Sequence, residues 1–140
     1  MEGLVALAAV LALSTVAGLV HRSRQGRMRD REPTGEDLRD LVRELGGEPG
    51  ETATLLQFSS AFCAPCRATR RTLEEVSAMV PGVTHVEVDA EQHLDVVRRL
   101  GILKTPTTLV LDRDGRVTTR AAGQPRKPDV IAALGKAVPS

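Results

Sequence analysis

The sequence predicts an α/β fold: a mixed central sheet with helices on both faces, preceded by a separate apolar helix. Three observations carry that prediction. The only two cysteines among the 140 residues, Cys63 and Cys66, stand at the junction of a strand-like run and a helix-like run. Apolar runs of period two alternate with runs of period three to four along residues 34–140. Gly3 to Val20 contains no charged residue.

That uncharged stretch, GLVALAAVLALSTVAGLV, makes about 27 Å of helix at 1.5 Å per residue, near the hydrocarbon thickness of a bilayer. Residues 1–20 are therefore expected to form a transmembrane anchor, with 3–20 in the membrane. His21, Arg22, Arg24, Arg27, Arg29 and Arg31 follow at once. A cleaved signal peptide is the competing reading. It normally opens on a positive region, whereas only Met1 and Glu2 precede the apolar run; Ala17-Gly18 offers a weak cleavage site. Positive charge stays on the cytoplasmic side of bacterial-type membranes. The arginines thus predict an outward N-terminus and a domain on the cytoplasmic face, with export as the alternative. Two cysteines confined to one motif also suit a reducing compartment. Residues 21–33, polar and without apolar periodicity, are expected to be a basic juxtamembrane linker, flexible or lying against anionic headgroups.

The domain is expected over 34–140. Thr34-Gly35-Glu36-Asp37 resembles a helix start, and Leu38, Leu41, Val42 and Leu45 give that helix one apolar face before Gly46-Gly47 ends it. Thr52 to Ser59 reads as a buried strand. After the cysteines, Leu73, Val76 and Val80 mark a helix face, and Pro81-Gly82 stops it. Val83 to Asp89 alternates, with Thr84, Val86 and Val88 opposite His85, Glu87 and Asp89. A short helix over 91–100 carries Leu94, Val97 and Leu100. Thr107 to Leu111 and Arg116 to Ala121 flank the turn Asp112-Arg113-Asp114-Gly115 as a hairpin. Pro128 suits the first turn of a last helix, with Val130, Ile131, Leu134 and Val138 as its apolar side.

Hydrophobic content of 41% supports a core, but Phe58 and Phe62 are the only aromatic residues, so Leu, Val, Ile and Ala must build it. A net charge of +1 argues against a polyanion-binding protein, and no nucleic-acid partner is expected.

A Cys-x-x-Cys at a helix start is a dithiol placed for redox chemistry. Unpaired backbone N–H groups and the macrodipole favour the first thiolate. The second thiol follows one turn later and can attack a mixed disulfide formed by the first. A zinc site needs two further ligands, and His85 and His93 lack a paired spacing; no metal and no organic cofactor are expected.

From about Thr34 to Val138 the chain resembles the thioredoxin family. The resemblance rests on a strand ending in Phe58, Cys63-Ala64-Pro65-Cys66, Thr105-Pro106-Thr107 before the next strand, and Gly123 after the hairpin. It implies a thioredoxin-like fold, Cys63 as nucleophile and Cys66 as resolving thiol. It also implies a cis Pro106 beside the dithiol, whose neighbouring backbone holds an extended stretch of substrate. Phe62, Ala64, Pro65, Thr105 and Pro106 are then the expected substrate-binding residues.

Three departures stand out. Phe62 replaces a common tryptophan, Ala64 a common glycine, and Gln57, six residues before Cys63, the family's buried acid. Gln57 cannot titrate; it can orient a water or hydrogen-bond a thiol. His85 falls near the lysine partner of that acid. A joint Gln57–His85 replacement of the charged pair is one expectation, and a solvent-facing strand histidine is the favoured one. Arg67, with Arg70 and Arg71, would add a field favouring the Cys63 thiolate, unless these are simply a solvated helix face.

The sequence thus points to a membrane-tethered thiol–disulfide oxidoreductase that reduces disulfide-containing client proteins and is recharged by an upstream thiol reductase. The alternatives are a redox-responsive binding module with little turnover, or an exported thioredoxin-like protein in thiol redox or cytochrome maturation.

Overall fold

The computed structural model describes residues 1–30 and 36–138. Helix α1 (Glu2–Arg24) is 23 residues long, and none of its residues is buried. It is long and apolar enough to cross a membrane, a property that signal sequences share. The remaining elements are β1 (Met28–Asp30), α2 (Arg39–Glu44), β2 (Ala53–Ser59), α3 (Ala64–Met79), β3 (Val83–Asp89), α4 (Leu94–Arg99), β4 (Thr107–Asp112), β5 (Val117–Ala122) and α5 (Lys127–Ala137).

The five strands form one sheet in the order β1-β5-β4-β2-β3, mixed as expected: β2 and β3 run parallel, and the other neighbours antiparallel. Strand β2 lies second from the β3 edge, and all seven of its residues are buried. Its alternation feeds two cores. Leu56 and Phe58 join Val86, Val88, Leu109 and Leu111 beneath α2 and α4, through Leu41, Val42 and Val96. Ala53 and Leu55 join Leu73 and Val76 of α3 with Val130, Ala133 and Leu134 of α5 on the other face. Each fully buried Leu or Val side chain contributes about 1.5–3 kcal/mol. Helices on both faces are the consequence of a strand that is apolar on both sides.

Several details differ from the sequence expectation. The segment 21–33 is not wholly a tether: α1 continues to Arg24, and Met28–Asp30 pairs with Ala121, Arg120 and Thr119 of β5. An edge strand of three residues has no room to display a period. Helix α2 starts at Arg39, and Thr34-Gly35 lies outside the described residues. Val97 and Leu100 pack against the core as expected and buried Val96 joins them, whereas Leu94 is exposed; a 3₁₀ turn over Ala90–Gln92 precedes α4. In α5, Ile131 faces outward, and Ala133 and Ala137 take the buried positions.

Register fixes which loops meet. Phe58 of β2 lies opposite Thr107 of β4, Thr107 opposite Ala122 of β5, and Met28 of β1 opposite Ala121. The C-terminal ends of β2 and β5 and the N-terminal starts of β4 and β1 therefore share one end of the sheet.

Candidate active site

Cys63 follows β2 at that end and is the N-cap of α3, with Pro65 in the first turn, where its fixed φ suits a helix start and its missing N–H costs no intrahelical bond. The Cys66 N–H donates to Cys63 Sγ at 3.2 Å. The two sulfurs are joined as a disulfide with a Cα–Cα distance of 5.2 Å. Their environments differ. Cys63 is half-buried, while Cys66 is only 1% exposed. Phe62 adopts φ +58° and is fully exposed, forming an apolar lip with the exposed Ala64 and Pro65.

The peptide bond between Thr105 and Pro106 is cis. The hydroxyls of Ser60 and Thr105 hydrogen-bond at 2.8 Å, tying the dithiol loop to the proline loop, and Thr107 Oγ1 donates to the Lys104 carbonyl. Beyond Pro106, whose carbonyl accepts from Gly123 N at 2.7 Å, the loop is joined to the end of β5. The structure therefore brings Phe62, Cys63, Cys66, Thr105 and Pro106 to one end of the sheet.

Beneath the dithiol, Gln57 is fully buried and fully engaged. Its Nε2 donates to the Cys66 carbonyl and to Ser59 Oγ, both at 2.9 Å, and its Oε1 lies 2.9 Å from His85 Nε2. The Cys66 carbonyl can only accept, so the atom facing it must be the amide nitrogen. Oε1 then faces His85, and His85 Nε2 must carry a proton to donate. The favoured expectation of a solvent-facing His85 is corrected here: its strand face is covered by α3, and the ring is half-buried. Burial pushes the imidazole pKa below its ordinary value, opposed by the nearby Glu87 and Glu74 and assisted by Arg70.

The arginine cluster is also revised. Arg70 makes a bidentate ion pair with Glu87 at 2.8 Å and 2.8 Å, which holds its pKa above the usual range and commits its charge to β3. Arg67 is exposed and its backbone N–H bonds the Cys63 carbonyl. Ser59 and Ser60 were not singled out from sequence. Their only signal was two small hydroxyls ending an apolar strand just before the cysteines.

Comparison with known proteins agrees with this architecture. A family model described as Thioredoxin matches residues 41–136. Thioredoxin of Alicyclobacillus acidocaldarius is 30% identical over 86 residues, covering 61% of this chain and 81% of that protein. Thioredoxin of Chlamydia trachomatis is 29% identical over 82 residues, 59% of this chain and 79% of its own length. Among solved structures, a mutant thioredoxin from Halobacterium salinarum superposes with a TM-score of 0.59 at 14% identity, covering 74% of this chain and 84% of that one. Fasciola hepatica thioredoxin gives 0.56 at 19%, covering 71% and 90%.

Proposed function

The chain belongs to the thioredoxin family, and from its Cys63–Cys66 active-site pair we propose that it is a membrane-tethered reductase of protein disulfides. The observation that carries the division of roles is the difference in access: a client disulfide can reach half-buried Cys63, not Cys66.

In the reduced enzyme the Cys63 thiolate sits at the start of α3, where N–H groups with no intrahelical acceptor favour negative charge, that of Cys66 pointing at Cys63 Sγ. It attacks one sulfur of the client disulfide. A Cys63–client bond forms, the client S–S bond breaks, and one client thiolate leaves. The Cys66 thiolate then attacks Cys63 Sγ, forming the Cys63–Cys66 disulfide and releasing the second client thiolate. The client gains two electrons and takes up protons on its thiolates; the enzyme loses two electrons. A thiol reductase returns them by the reverse exchange. Phe62 and the backbone around Thr105 and Pro106 border the dithiol and supply the client contacts.

Gln57 and His85 act behind Cys66. Gln57 holds the first turn of α3 by its carbonyl, and His85 holds Gln57. Both are positioning residues. The tether is supported by the length and apolarity of α1, and a cytoplasmic domain by the arginines that follow its apolar run.

Trapping tests the roles. Full-length Cys66→Ser protein, incubated with a disulfide-bonded client such as insulin, is expected to accumulate a mixed disulfide on Cys63 visible on non-reducing gels. Cys63→Ser should not. Accumulation with Cys63→Ser alone would reverse the assignment.

A further inference from the structure

We infer that the dithiol works at the membrane surface, on disulfides carried by membrane-embedded proteins close to their headgroup layer. The inference rests on the reading of α1 as a membrane anchor and adds where that anchor places the chemistry.

The first observation is topological. Strand β1 enters the sheet at the end that carries the dithiol, because Met28 opposes Ala121, Thr107 opposes Ala122, and Phe58 opposes Thr107. Three strand steps separate β1 from β2, about 14 Å at roughly 4.8 Å each. The turn between β4 and β5, which contains Asp114, lies at the other end, about 20 Å away along a six-residue strand.

The second observation is the absence of slack. Only Gln25 separates the last residue of α1, Arg24, from Gly26. The Gly26 N–H donates to the Ala122 carbonyl at 2.8 Å, and the Gly123 N–H next to it donates to the Pro106 carbonyl. Gly26 has φ +74°, and a Cβ there would lie 1.8 Å from the Gln124 carbonyl oxygen. A Cβ on Gly123 would lie 3.0 Å from Gly26 N. The end of α1 is thus held within one residue of the loop that also bonds the proline of the active site, which keeps the dithiol end of the sheet close to the foot of the helix.

The third is charge. A cleft of about 700 Å³ opens where α1 meets the start of α5, lined among others by Arg22, Arg27, Arg126 and Lys127. Arg126 pairs with Asp129 and Lys127 with Glu75, so the excess positive charge of the cleft is that of Arg22 and Arg27. Anionic headgroups are attracted to such a surface. Pinning and charge act together to lay the dithiol end of the sheet toward the bilayer. A soluble client must approach from the side, whereas a disulfide displayed just above the headgroups meets Cys63 directly.

The test uses the full chain in nanodiscs of phosphatidylcholine and phosphatidylglycerol. A fluorophore is attached to Cys63 in Cys66→Ser protein, and separately to the cysteine of Asp114→Cys in a Cys63→Ser, Cys66→Ser background. Nitroxide-labelled headgroup lipids are expected to quench the probe at 63 severalfold more than the probe at 114. Equal quenching, or stronger quenching at 114, overturns the placement. Protein that leaves the nanodiscs in high salt and alkaline carbonate overturns the anchor reading itself, and this inference with it. As a second readout, bilayer-spanning peptides carry a disulfide either two or fifteen residues above the headgroups. The enzyme should reduce the near disulfide several times faster; equal or reversed rates overturn the partner assignment.

Discussion

His85 donates from Nε2 to the side-chain carbonyl of Gln57 at 2.9 Å, and this bond leaves Nδ1 as the ring nitrogen on which the imidazole gains its second proton. The hydrogen bond therefore survives titration, while the charge next to it changes. Glu87 from β3 and Glu74 and Arg70 from α3 are the charged groups that set the cost of that change.

The pH dependence follows from burial. His85 in the folded chain has a pKa below the unfolded value of about 6.5. The native state then binds fewer protons than the unfolded state across that window, so this contribution to stability is present above pH 6.5 and is lost as pH falls below it. Wild type should lose more stability than His85→Gln between pH 7.5 and 5.0, measured by urea unfolding. Gln retains a donor but cannot titrate. Parallel losses would remove His85 from the account.

Gln57→Asp should destabilise the domain and alter the Cys66 step more than the first attack. The introduced carboxyl loses both donated bonds and sets an acceptor against the Cys66 carbonyl, costing about 2–4 kcal/mol at neutral pH. Burial raises its folded pKa, so the deficit should shrink as pH falls toward the ordinary carboxylate range. Single-turnover resolution rates from pH 6 to 9, alongside unfolding curves, check both parts.

Gly26→Ala should cost at least twice as much stability as Gly46→Ala. Both positions have positive φ, for which a non-glycine residue costs about 1–2 kcal/mol. Gly46 faces open space, whereas Gly26 meets the Gln124 carbonyl. Faster hydrogen exchange over 28–30 should accompany the larger loss. Equal costs would mean that the chain around residue 26 is not packed as described.

Topology is read by fusion. With the arginines after the apolar run retained on the cytoplasmic side, a C-terminal alkaline phosphatase should be inactive and a C-terminal fluorescent protein bright. Neutralising Arg22, Arg24, Arg27, Arg29 and Arg31 while adding lysines after Met1 should invert both signals. An active phosphatase on the unmodified chain would place the domain on the exported side.

What sequence made legible was what pattern alone determines. The apolar run of β2 and the cysteines that follow it located the dithiol, because a buried central strand and a helix start each leave a local signature. Strand β1 left none: Met28, Arg29 and Asp30 become a strand only because β5 offers an open edge. The alternation of β3 correctly grouped His85 with Glu87, but which face is covered depends on where α3 packs. Hence His85 read as solvent-facing, and its bond to Gln57 emerged only from the parallel register of β2 and β3. Arg70 was likewise visible as a charge, while its partner Glu87, on another element, was not.

Phe62 carries a consequence for anyone improving this protein. It holds a left-handed backbone conformation while leaving its whole ring in solvent, so glycine would relieve about 1–2 kcal/mol of backbone strain, offset in part by the freedom it adds to the unfolded chain, at no loss of packing. A screen that rewards thermal tolerance should therefore select Phe62→Gly early. The same change would strip the apolar lip from the dithiol and leave client capture weaker. At this position durability and activity pull in opposite directions, and the hardiest variants should be the poorest reductases.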